Sequence, residues 1–410
     1  MLVEIVSRSA LIAGVVVLCI GLADCPGERF PAPGGRLPEN SWTYGGSGSD
    51  AAHAVQQTSD GGYVLAGYYT CYQPEYRRQM YLVKTDGDGQ QLWDRTYGGD
   101  AETEAYAVAQ TSDGGFVLAG YTYAPHYTDI YLVRVDASGG GLWKKPFGGD
   151  GWQKAFAVAQ TSDGGFVLAG YNRSAGHREE DAYLVKVDVN GSLVWERTLG
   201  RAFSDEALAM DATSDGGFIL AGRTNSFSAR DDDMYLVRTD SEGNLLWEKA
   251  YGSDDWDVAE AVRQTSDGGY ILAGRTRHSE YCGVEAYLVK VDSNGDLEWD
   301  RTFGDVGDDR AFDVQQTSDG GYILVGYAES YVENRRSFDV YLVKTDASGR
   351  LLWERTYGGD NWDEGRSVQQ TDDGGYIVAG RSESFNLWDN YDSDMYMIKV
   401  DANGNLPSGR

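Results

Sequence analysis

The stretch Thr58-Ser59-Asp60-Gly61-Gly62-Tyr63-Val64-Leu65-Ala66-Gly67 decides the fold, because nearly the same ten residues occur seven times in the chain. The other copies begin at Thr111, Thr161, Thr213, Thr265, Thr317 and Thr371. Consecutive copies lie 50 to 54 residues apart. A fixed period near this length is typical of solenoids, propellers and other repeat arrays. The repeats therefore predict one repeat domain and override the two or three domains that 410 residues would otherwise suggest.

One repeat unit, residues 105–147, is predicted to form four short strands. Ala105–Gln110 alternates small and larger side chains, which is a strand pattern of period two. Phe116–Gly120 is apolar throughout and is predicted to be buried on both faces. Tyr131–Asp136 forms the third strand, and the more polar Leu142–Phe147 suits an outer edge. Four antiparallel strands per unit, joined by Gly-rich turns, indicate a propeller blade.

The number of strands predicts how the ring closes. Third strands begin with seven tyrosines, but the fourth-strand tryptophan occurs only six times, at Trp93, Trp143, Trp195, Trp247, Trp299 and Trp353. The segment Ser41-Trp42-Thr43-Tyr44-Gly45-Gly46 matches residues 354–359 and can supply the missing outer strand. We therefore predict an all-β protein, a seven-bladed β-propeller of four-stranded antiparallel blades whose ring is closed by an N-terminal strand.

The N-terminal residues are predicted to direct export. Residues 1–23 read as a signal peptide, with an apolar run after Arg8 that is too short to span a membrane. Residues 24–40 form a Pro/Gly-rich linker, and residues 41–406 form the propeller. The sequence Leu22-Ala23-Asp24-Cys25 is similar to a bacterial lipoprotein box. We expect a secreted or cell-surface protein without a transmembrane span after processing, and a lipid anchor at Cys25 is the alternative to full secretion.

Composition excludes some partners and cofactors. The net charge of −29 repels phosphate backbones, so no nucleic-acid partner is expected. The four histidines fall at different repeat positions and no metal-ligand spacing occurs, so neither a metal nor a cofactor is predicted. Three cysteines follow the signal segment, an odd number that makes a complete disulfide framework unexpected. Cys71 and Cys282 fall in non-adjacent blades and are not expected to pair.

The repeat resembles that of many secreted bacterial and archaeal propeller proteins, most without an assigned activity. The resemblance covers residues 41–406 and rests on the phrases Gln-Thr-Ser-Asp-Gly-Gly-Tyr-Val-Leu-Ala-Gly, Tyr-Leu-Val-Lys-x-Asp and Gly-x-Leu-x-Trp. The stretch Asp346–Trp353 is also distantly similar to blades of quinoprotein-like propellers. The resemblance implies the fold and export. Pyrroloquinoline quinone is not implied, because the members that bind it use eight blades and a dedicated central site.

Functional residues are expected where the repeat is interrupted, because a group that is present in every blade is expected to hold the blades together. Two regions vary: the loops between second and third strands, and the links from one blade to the next. Both emerge on one face, where aromatic rings that could stack on sugars stand among carboxylates and amides. The predicted ligand-binding residues are Trp388, Tyr391, Tyr127, Tyr331, Tyr72, Trp152, Trp256 and Trp362. The three link tryptophans, at positions 152, 256 and 362, could instead fill gaps between blades.

The sequence thus predicts a secreted or cell-surface binding or scaffolding propeller. Its expected partner is an extracellular glycan or protein bound on the variable-loop face. The alternative is a carbohydrate-active hydrolase or lyase that uses loop carboxylates. No catalytic residue can be assigned from the sequence, because the spacing between paired carboxylates cannot be read from it. A binding protein is therefore the preferred interpretation over an enzyme.

Overall fold

The fold is a closed ring of seven β-sheets. The computed structural model describes residues 37–72, 76–123, 126–174, 179–227, 231–252, 255–277, 283–305, 307–332, 335–385 and 392–406. These residues form 28 strands and no helix. The strands make seven antiparallel sheets of four strands each, and each sheet packs against the next around the ring. The prediction of an all-β, seven-bladed propeller is confirmed, and the sheets are called blades 1 to 7 in chain order.

Each blade contains a first strand at the centre of the ring, a second, a third, and a fourth strand at the rim. The first strands are β2 Ala51–Gln57, β6 Thr103–Gln110, β10 Gly151–Gln160, β14 Asp205–Ala212, β18 Asp257–Gln264, β22 Arg310–Gln316 and β26 Asp363–Gln370. The second strands are β3 Tyr63–Cys71, β7 Phe116–Tyr123, β11 Phe166–Ser174, β15 Phe218–Thr224, β19 Tyr270–Arg277, β23 Tyr322–Val332 and β27 Tyr376–Ser382. The third strands are β4 Arg77–Thr85, β8 Thr128–Val135, β12 Asp181–Val187, β16 Asp233–Thr239, β20 Val284–Val291, β24 Arg335–Thr345 and β28 Asp394–Val400. The fourth strands are β5 Gln91–Tyr97, β9 Gly141–Phe147, β13 Leu193–Leu199, β17 Leu245–Tyr251, β21 Leu297–Phe303, β25 Leu351–Tyr357 and, in blade 7, β1 Ser41–Tyr44.

Blade 7 joins the two ends of the described chain, as predicted. Strand β1 pairs antiparallel with β28, and Trp42 lies opposite Met397 while Tyr44 lies opposite Met395. The hydroxyl of the buried Tyr44 also donates to the carbonyl of Gly89 in blade 1, at 2.7 Å. The N-terminal strand therefore completes one sheet and contacts the next.

The hydrophobic core lies between neighbouring blades. The second strands are buried along their repeated part, as in Phe116–Gly120, and their side chains pack against both adjacent sheets. Each fourth-strand tryptophan packs against the next blade: the ring of Trp93 lies 6.1 Å from that of Phe116, and the ring of Trp299 lies 5.8 Å from that of Tyr322. Trp42 joins the equivalent cluster between blades 7 and 1.

The repeated charges stabilise the turn between the first and second strands. In blade 1, Asp60 accepts hydrogen bonds from the hydroxyl of Thr58 and from the backbone N–H of Gly62, and it pairs with Lys84 at 3.0 Å. The same aspartate pairs with a third-strand cation in every blade. These turns and the outer hairpins occupy one face of the ring, the turn face. The second-to-third loops and the links between blades occupy the other, the variable-loop face.

The strands extend further toward the variable-loop face than the sequence predicts. The segment between the predicted strands Phe116–Gly120 and Tyr131–Asp136 is largely hairpin, because Thr122 pairs with Asp129 and Tyr123 with Thr128. In blade 6 the hairpin ladder reaches from Tyr322 to Val332. Continuing the ladder satisfies backbone donors and acceptors that a loop would leave to solvent.

Cys71 ends the second strand of blade 1, is buried and is disulfide-bonded. The other three cysteines lie outside the described residues. The absence of a Cys71–Cys282 bond stays a prediction: two blades separate blades 1 and 5 on one side of the ring and three on the other.

Candidate functional site

A β-bulge interrupts the first strand of every blade. In blade 1, Ala52 pairs with Gly67 and Ala54 with Ala66, so His53 between them has no partner in the ladder. A bulge re-aims one side chain while the strands continue on either side. The seven bulge residues are His53, Tyr106, Phe156, Leu208, Glu260, Phe312 and Arg366. All seven line the central channel.

The channel is a cavity of about 650 Å³ lined by the first strands of all seven blades. Toward the turn face, glutamines link neighbouring blades: Gln110 accepts from the backbone N–H of Ser59 at 2.9 Å, and Gln370 accepts from that of Ser318 at 2.8 Å. Toward the variable-loop face, the bulge residues lie beside the residues that follow the repeated second-strand glycine. These are Tyr68, Tyr121, Tyr171, Arg223, Arg275, Tyr327 and Arg381. The bulge residues and this second ring together are called the channel mouth.

An ion-paired cluster lies at the mouth between blades 1 and 2. Glu104 is buried, and its Oε1 lies 2.8 Å from Nε2 of His53. Its Oε2 accepts from Arg78 and from the hydroxyl of Tyr121, both at 3.2 Å. Burial opposes ionisation, but the hydrogen bonds and charges of His53 and Arg78 outweigh it and lower the pKa of Glu104 to about 2. Glu104 is thus an ionised carboxylate with both oxygens engaged.

Lys154 of blade 3 extends over the tyrosines of blade 2. Its Nζ lies 4.3 Å from the ring centre of Tyr121 and 6.0 Å from that of Tyr106. Burial lowers the pKa of Lys154, although the charge of Glu104 partly offsets this effect. Within the part of the chain that the structure describes, the ammonium group of Lys154 forms no ion pair and no hydrogen bond. It interacts with the two tyrosine rings through cation–π contacts.

Salt bridges also occupy blades 4 and 5. Arg223 pairs with Glu206, and its Nη1 lies 3.2 Å from Oδ2 of Asp232. Burial raises the pKa of Glu206 despite this pairing. In blade 5, the bulge residue Glu260 pairs with Arg275.

Blade 7 places two arginines around one glutamate. Glu364 accepts from Arg366 at 2.7 Å and from Arg381 at 3.0 Å. Burial opposes ionisation, but the two guanidinium groups lower the pKa of Glu364. Arg366 also lies 4.0 Å above the ring of Phe312. Arg310 lies 5.5 Å above the ring of Tyr327, and its Nε is buried without a hydrogen-bond partner among the described residues.

The three predicted link tryptophans share a position on the variable-loop face and each is covered by an arginine. Arg173 lies 5.4 Å above the ring of Trp152, Arg275 lies 4.8 Å above Trp256, and Arg381 lies 4.7 Å above Trp362. All three tryptophans are half-buried. Trp256 and Trp362 therefore contact mouth arginines.

The predicted loop tyrosines lie further out. Tyr127 packs edge-on against Trp152, with ring centres 6.1 Å apart. Tyr331 is 67% exposed, and its hydroxyl donates to Glu329 at 2.7 Å. Tyr72 is 44% exposed and contacts Asp392. Trp388 and Tyr391 lie outside the described residues, and their role stays a prediction.

The channel mouth was not predicted from the sequence. The signal was nevertheless present in the first strand, where a small residue stands on each side of one variable position: Ala-His-Ala, Ala-Tyr-Ala, Ala-Phe-Ala, Ala-Leu-Ala, Ala-Glu-Ala, Ala-Phe-Asp and Gly-Arg-Ser. The prediction considered variation only outside the strands. A period-two pattern conceals a bulge, because the extra residue reads as one more alternating position.

Two aspartates at the start of first strands have structural roles: Asp363 is the first residue of β26, and Asp309 directly precedes β22. The buried Asp363 accepts from the backbone N–H of Gly359 at 2.8 Å and from the hydroxyl of Ser384 at 2.6 Å. Asp309 accepts from the backbone N–H groups of Asp305 and Glu329. These aspartates join the blade-to-blade link to the second strand. Burial raises the pKa of both to about 6.

We expect the melting temperature to pass through a maximum between pH 4 and 5. The raised pKa values of Asp309 and Asp363 mean that the folded protein holds protons which the unfolded chain loses above pH ~4, so stability falls as the pH rises to 6. Hydrogen bonds and Lys84 overcome burial to hold the pKa of Asp60 at about 2, so its contribution is lost as the pH falls below 4.

Thermal melts from pH 2 to 8 test this expectation. In the double variant Asp309→Asn and Asp363→Asn, the decrease in the free energy of unfolding between pH 4 and 7.5 should shrink by on the order of 1–3 kcal/mol per site. A double variant that keeps the full wild-type slope would contradict the assignment.

Neither a metal cluster nor a membrane span is found within the described ranges. No group of three or more His, Cys, Asp or Glu side chains there could hold a metal ion. No helix there is long and apolar enough to cross a membrane.

Comparisons with known proteins show the fold. No protein-family model matches the sequence. Regulatory protein FlaEY of Caulobacter vibrioides is 27% identical over 187 residues, which cover 40% of this chain and 19% of that protein. The match thus spans about a fifth of the relative's length.

Three solved propellers are similar to this chain at low identity. The Pan2 WD40 domain of Neurospora crassa has a TM-score of 0.51 at 11% identity and covers 86% of this chain and 97% of its own. A family PL25 ulvan lyase bound to -[GlcA(1-4)Rha3S]- has a TM-score of 0.52 at 11% identity, with 89% and 96% covered. Sqt1 of Chaetomium thermophilum, bound to the N-terminus of ribosomal protein L10, has a TM-score of 0.50 at 13% identity, with 89% and 100% covered. Such identities support the fold alone.

Proposed function

We propose that this protein is a secreted or cell-surface binding propeller that holds a glycan or protein ligand at the channel mouth and on the surrounding variable-loop face. One observation carries the proposal. The backbone bulge repeats in all seven blades, whereas the side chain that it presents to the channel changes among aromatic, aliphatic, acidic and basic types. A position whose backbone geometry is constant and whose side chain varies is suited to ligand recognition.

The chemistry of the mouth favours binding over hydrolysis. A glycosidase needs one carboxyl that stays protonated beside one that is ionised. The mouth carboxylates Glu104 and Glu364 both have lowered pKa values, because arginines and His53 hold them ionised. Glu206 has a raised pKa but is paired with Arg223. These groups fix the shape and charge of the mouth.

The surrounding face adds exposed rings. Tyr331 and Tyr72 extend into solvent, and Tyr127 covers Trp152. Among the similar propellers, Sqt1 was solved with a protein segment bound and the ulvan lyase with a saccharide bound. The fold accommodates both ligand classes proposed for this chain.

A binding screen with matched variants tests the proposal. The mature protein is applied to a glycan array and a peptide library, and each hit is measured by calorimetry. Phe156→Ala and Phe312→Ala at the mouth should weaken binding by about 1–3 kcal/mol. Val189→Ala removes an exposed apolar side chain from the turn face and serves as control. If a ligand is weakened only by Val189→Ala, its binding surface is the turn face, which contradicts the proposal.

A second candidate, a carbohydrate-active lyase, is favoured by one contact. Nε2 of His53 lies 2.8 Å from Oε1 of the ionised Glu104, and the ring centres of His53 and Tyr106 lie 5.0 Å apart, so an imidazole and a phenol, both groups that can transfer protons, lie together at the mouth. The test is whether the protein releases unsaturated ends from any glycan hit and whether His53→Gln abolishes that release. Absence of such products from every bound glycan rejects this candidate.

A further inference from the structure

The cations at the channel mouth outnumber the carboxylates that form ion pairs with them. Seven cations lie at or beside the mouth: Arg78, Lys154, Arg223, Arg275, Arg310, Arg366 and Arg381. The carboxylates that pair with them are five: Glu104, Glu206, Asp232, Glu260 and Glu364. The net charge of the chain is −29. Charges more than about 10 Å away are largely screened, so a ligand that enters the mouth interacts mainly with the charged groups of the mouth itself.

Lys154 and Arg310 account for that excess. Neither forms an ion pair within the described ranges, where both instead lie over tyrosine rings. Three carboxylates act on Lys154 through their charge: Glu104 and Glu206 are already paired with other side chains, and Glu102 forms no ion pair with Lys154. Both oxygens of Glu104 accept from other donors, Glu260 is paired with Arg275, and Glu364 with Arg366. A half-buried cation without a counter-charge favours the binding of an anion.

The two cations lie on opposite sides of the mouth. Lys154 belongs to blade 3 and Arg310 to blade 6, and each lies on a first strand two positions before a bulge residue. The aromatic bulge residues Tyr106, Phe156 and Phe312 lie at one level of the channel. A ligand crossing the mouth would therefore meet a cation at each side and flat rings beneath it.

We propose, on the basis of the proposed function, that the ligand is an acidic saccharide whose carboxylate or sulfate groups bind Lys154 and Arg310. Aromatic rings fit the apolar faces of pyranoses, and the tyrosine hydroxyls and arginine N–H groups fit their hydroxyls and acidic groups. An extended peptide adding as a strand fits less well. Side chains of the neighbouring blade already occupy the backbone N–H groups of Gln110, Gln264 and Gln370 in the first strands.

Calorimetry with charged and uncharged forms of one ligand tests the proposal. The probes are hexamers of galacturonic, glucuronic and mannuronic acid, sulfated galactan hexamers, and the carboxyl-reduced or desulfated form of each. We expect wild-type protein to bind at least one acidic hexamer about tenfold or more tightly than its neutral form. Lys154→Met and Arg310→Met should each weaken the acidic hexamer by about tenfold and leave the neutral form unchanged.

Control variants separate charge from folding. Lys145→Met and Arg355→Met make the same substitutions on exposed outer strands and should bind like wild type. Lys154→Arg keeps the charge and should retain most of the affinity. If Lys154→Met lowers the melting temperature, the affinity of Lys154→Gln is compared with that of Lys154→Arg instead.

The outcomes distinguish this inference from the proposed function. Wild-type protein that binds no acidic hexamer, or binds it no better than its neutral form, overturns the inference. The inference is also overturned if an acidic peptide such as hexaglutamate binds and is weakened by Lys154→Met, while no saccharide hexamer binds. If Phe312→Ala weakens a ligand that the two cation variants leave unaffected, the mouth is the site and the charge assignment is wrong. Ligands that no mouth variant affects would overturn the proposed function itself.

Discussion

Deleting residues 41–44 is expected to lower the free energy of unfolding by more than about 5 kcal/mol and to make the protein aggregate. The deletion removes β1, and with it the indole of Trp42, which packs in the cluster between blades 7 and 1. It also removes the buried Tyr44 and its hydrogen bond to Gly89. The buried strand β28 would become an exposed edge of apolar residues, which is a template for pairing between chains.

Complementation in trans provides the control for this deletion. A synthetic peptide of residues 37–46 should restore the melting temperature of the deleted protein, because it can re-form the ladder with Met395–Ile398. A peptide with Trp42→Ala and Tyr44→Ala should not. Thermal melts and light scattering measure both effects. A deletion variant that stays monomeric and melts like wild type would show that the ring does not depend on this strand.

Gly274→Ala is expected to destabilise the protein by roughly 3–5 kcal/mol. This glycine belongs to the repeated second-strand phrase, and a Cβ there would lie 1.9 Å from the backbone oxygen of Val258. The bulge in the first strand brings that carbonyl against the second strand. The obstacle is backbone, so no side-chain rotation relieves it, and either the bulge or the ladder must shift.

Gly268→Ala is the matched control in the same blade. Gly268 has a φ of +84°, and nothing lies within 4 Å of the position that a Cβ would occupy there. Its substitution therefore costs only the strain of a left-handed backbone, about 1 kcal/mol. Urea denaturation of both variants gives the difference. If Gly274→Ala proves as stable as Gly268→Ala, the close approach is not a constraint on the fold.

The fold could be predicted because its determinants are local and repeated. Gly61 and Gly62 in the turn, the apolar Phe116–Gly120 strand and the tryptophan of the fourth strand each occupy a fixed register. The match of Thr43-Tyr44-Gly45-Gly46 to Thr356-Tyr357-Gly358-Gly359 was enough to predict closure. The ends of the strands could not be predicted, because pairing beyond Thr122 depends on backbone hydrogen bonds rather than on an apolar pattern.

The site was predicted less completely. The sequence predicted the variable-loop face as the place where the repeat breaks, and on that face Trp256 and Trp362 contact mouth arginines. The mouth itself depends on residues brought together from seven blades, such as His53 with Glu104, which are 51 positions apart. The spacing in the sequence predicts such pairs only once the position of the bulge is known. Export, lipidation and the roles of Trp388 and Tyr391 stay predictions.

The bulge has an evolutionary consequence. The close contact between its carbonyl and the second-strand glycine is made by backbone atoms, so the geometry does not depend on which side chain the bulge carries. Under the proposed function, folding and specificity are therefore encoded at separate positions, and mutation of one need not compromise the other. Gene duplication of such a unit yields blades that can diverge at the bulge alone. A combinatorial library randomised at these seven codons would sample new specificities on an unchanged scaffold.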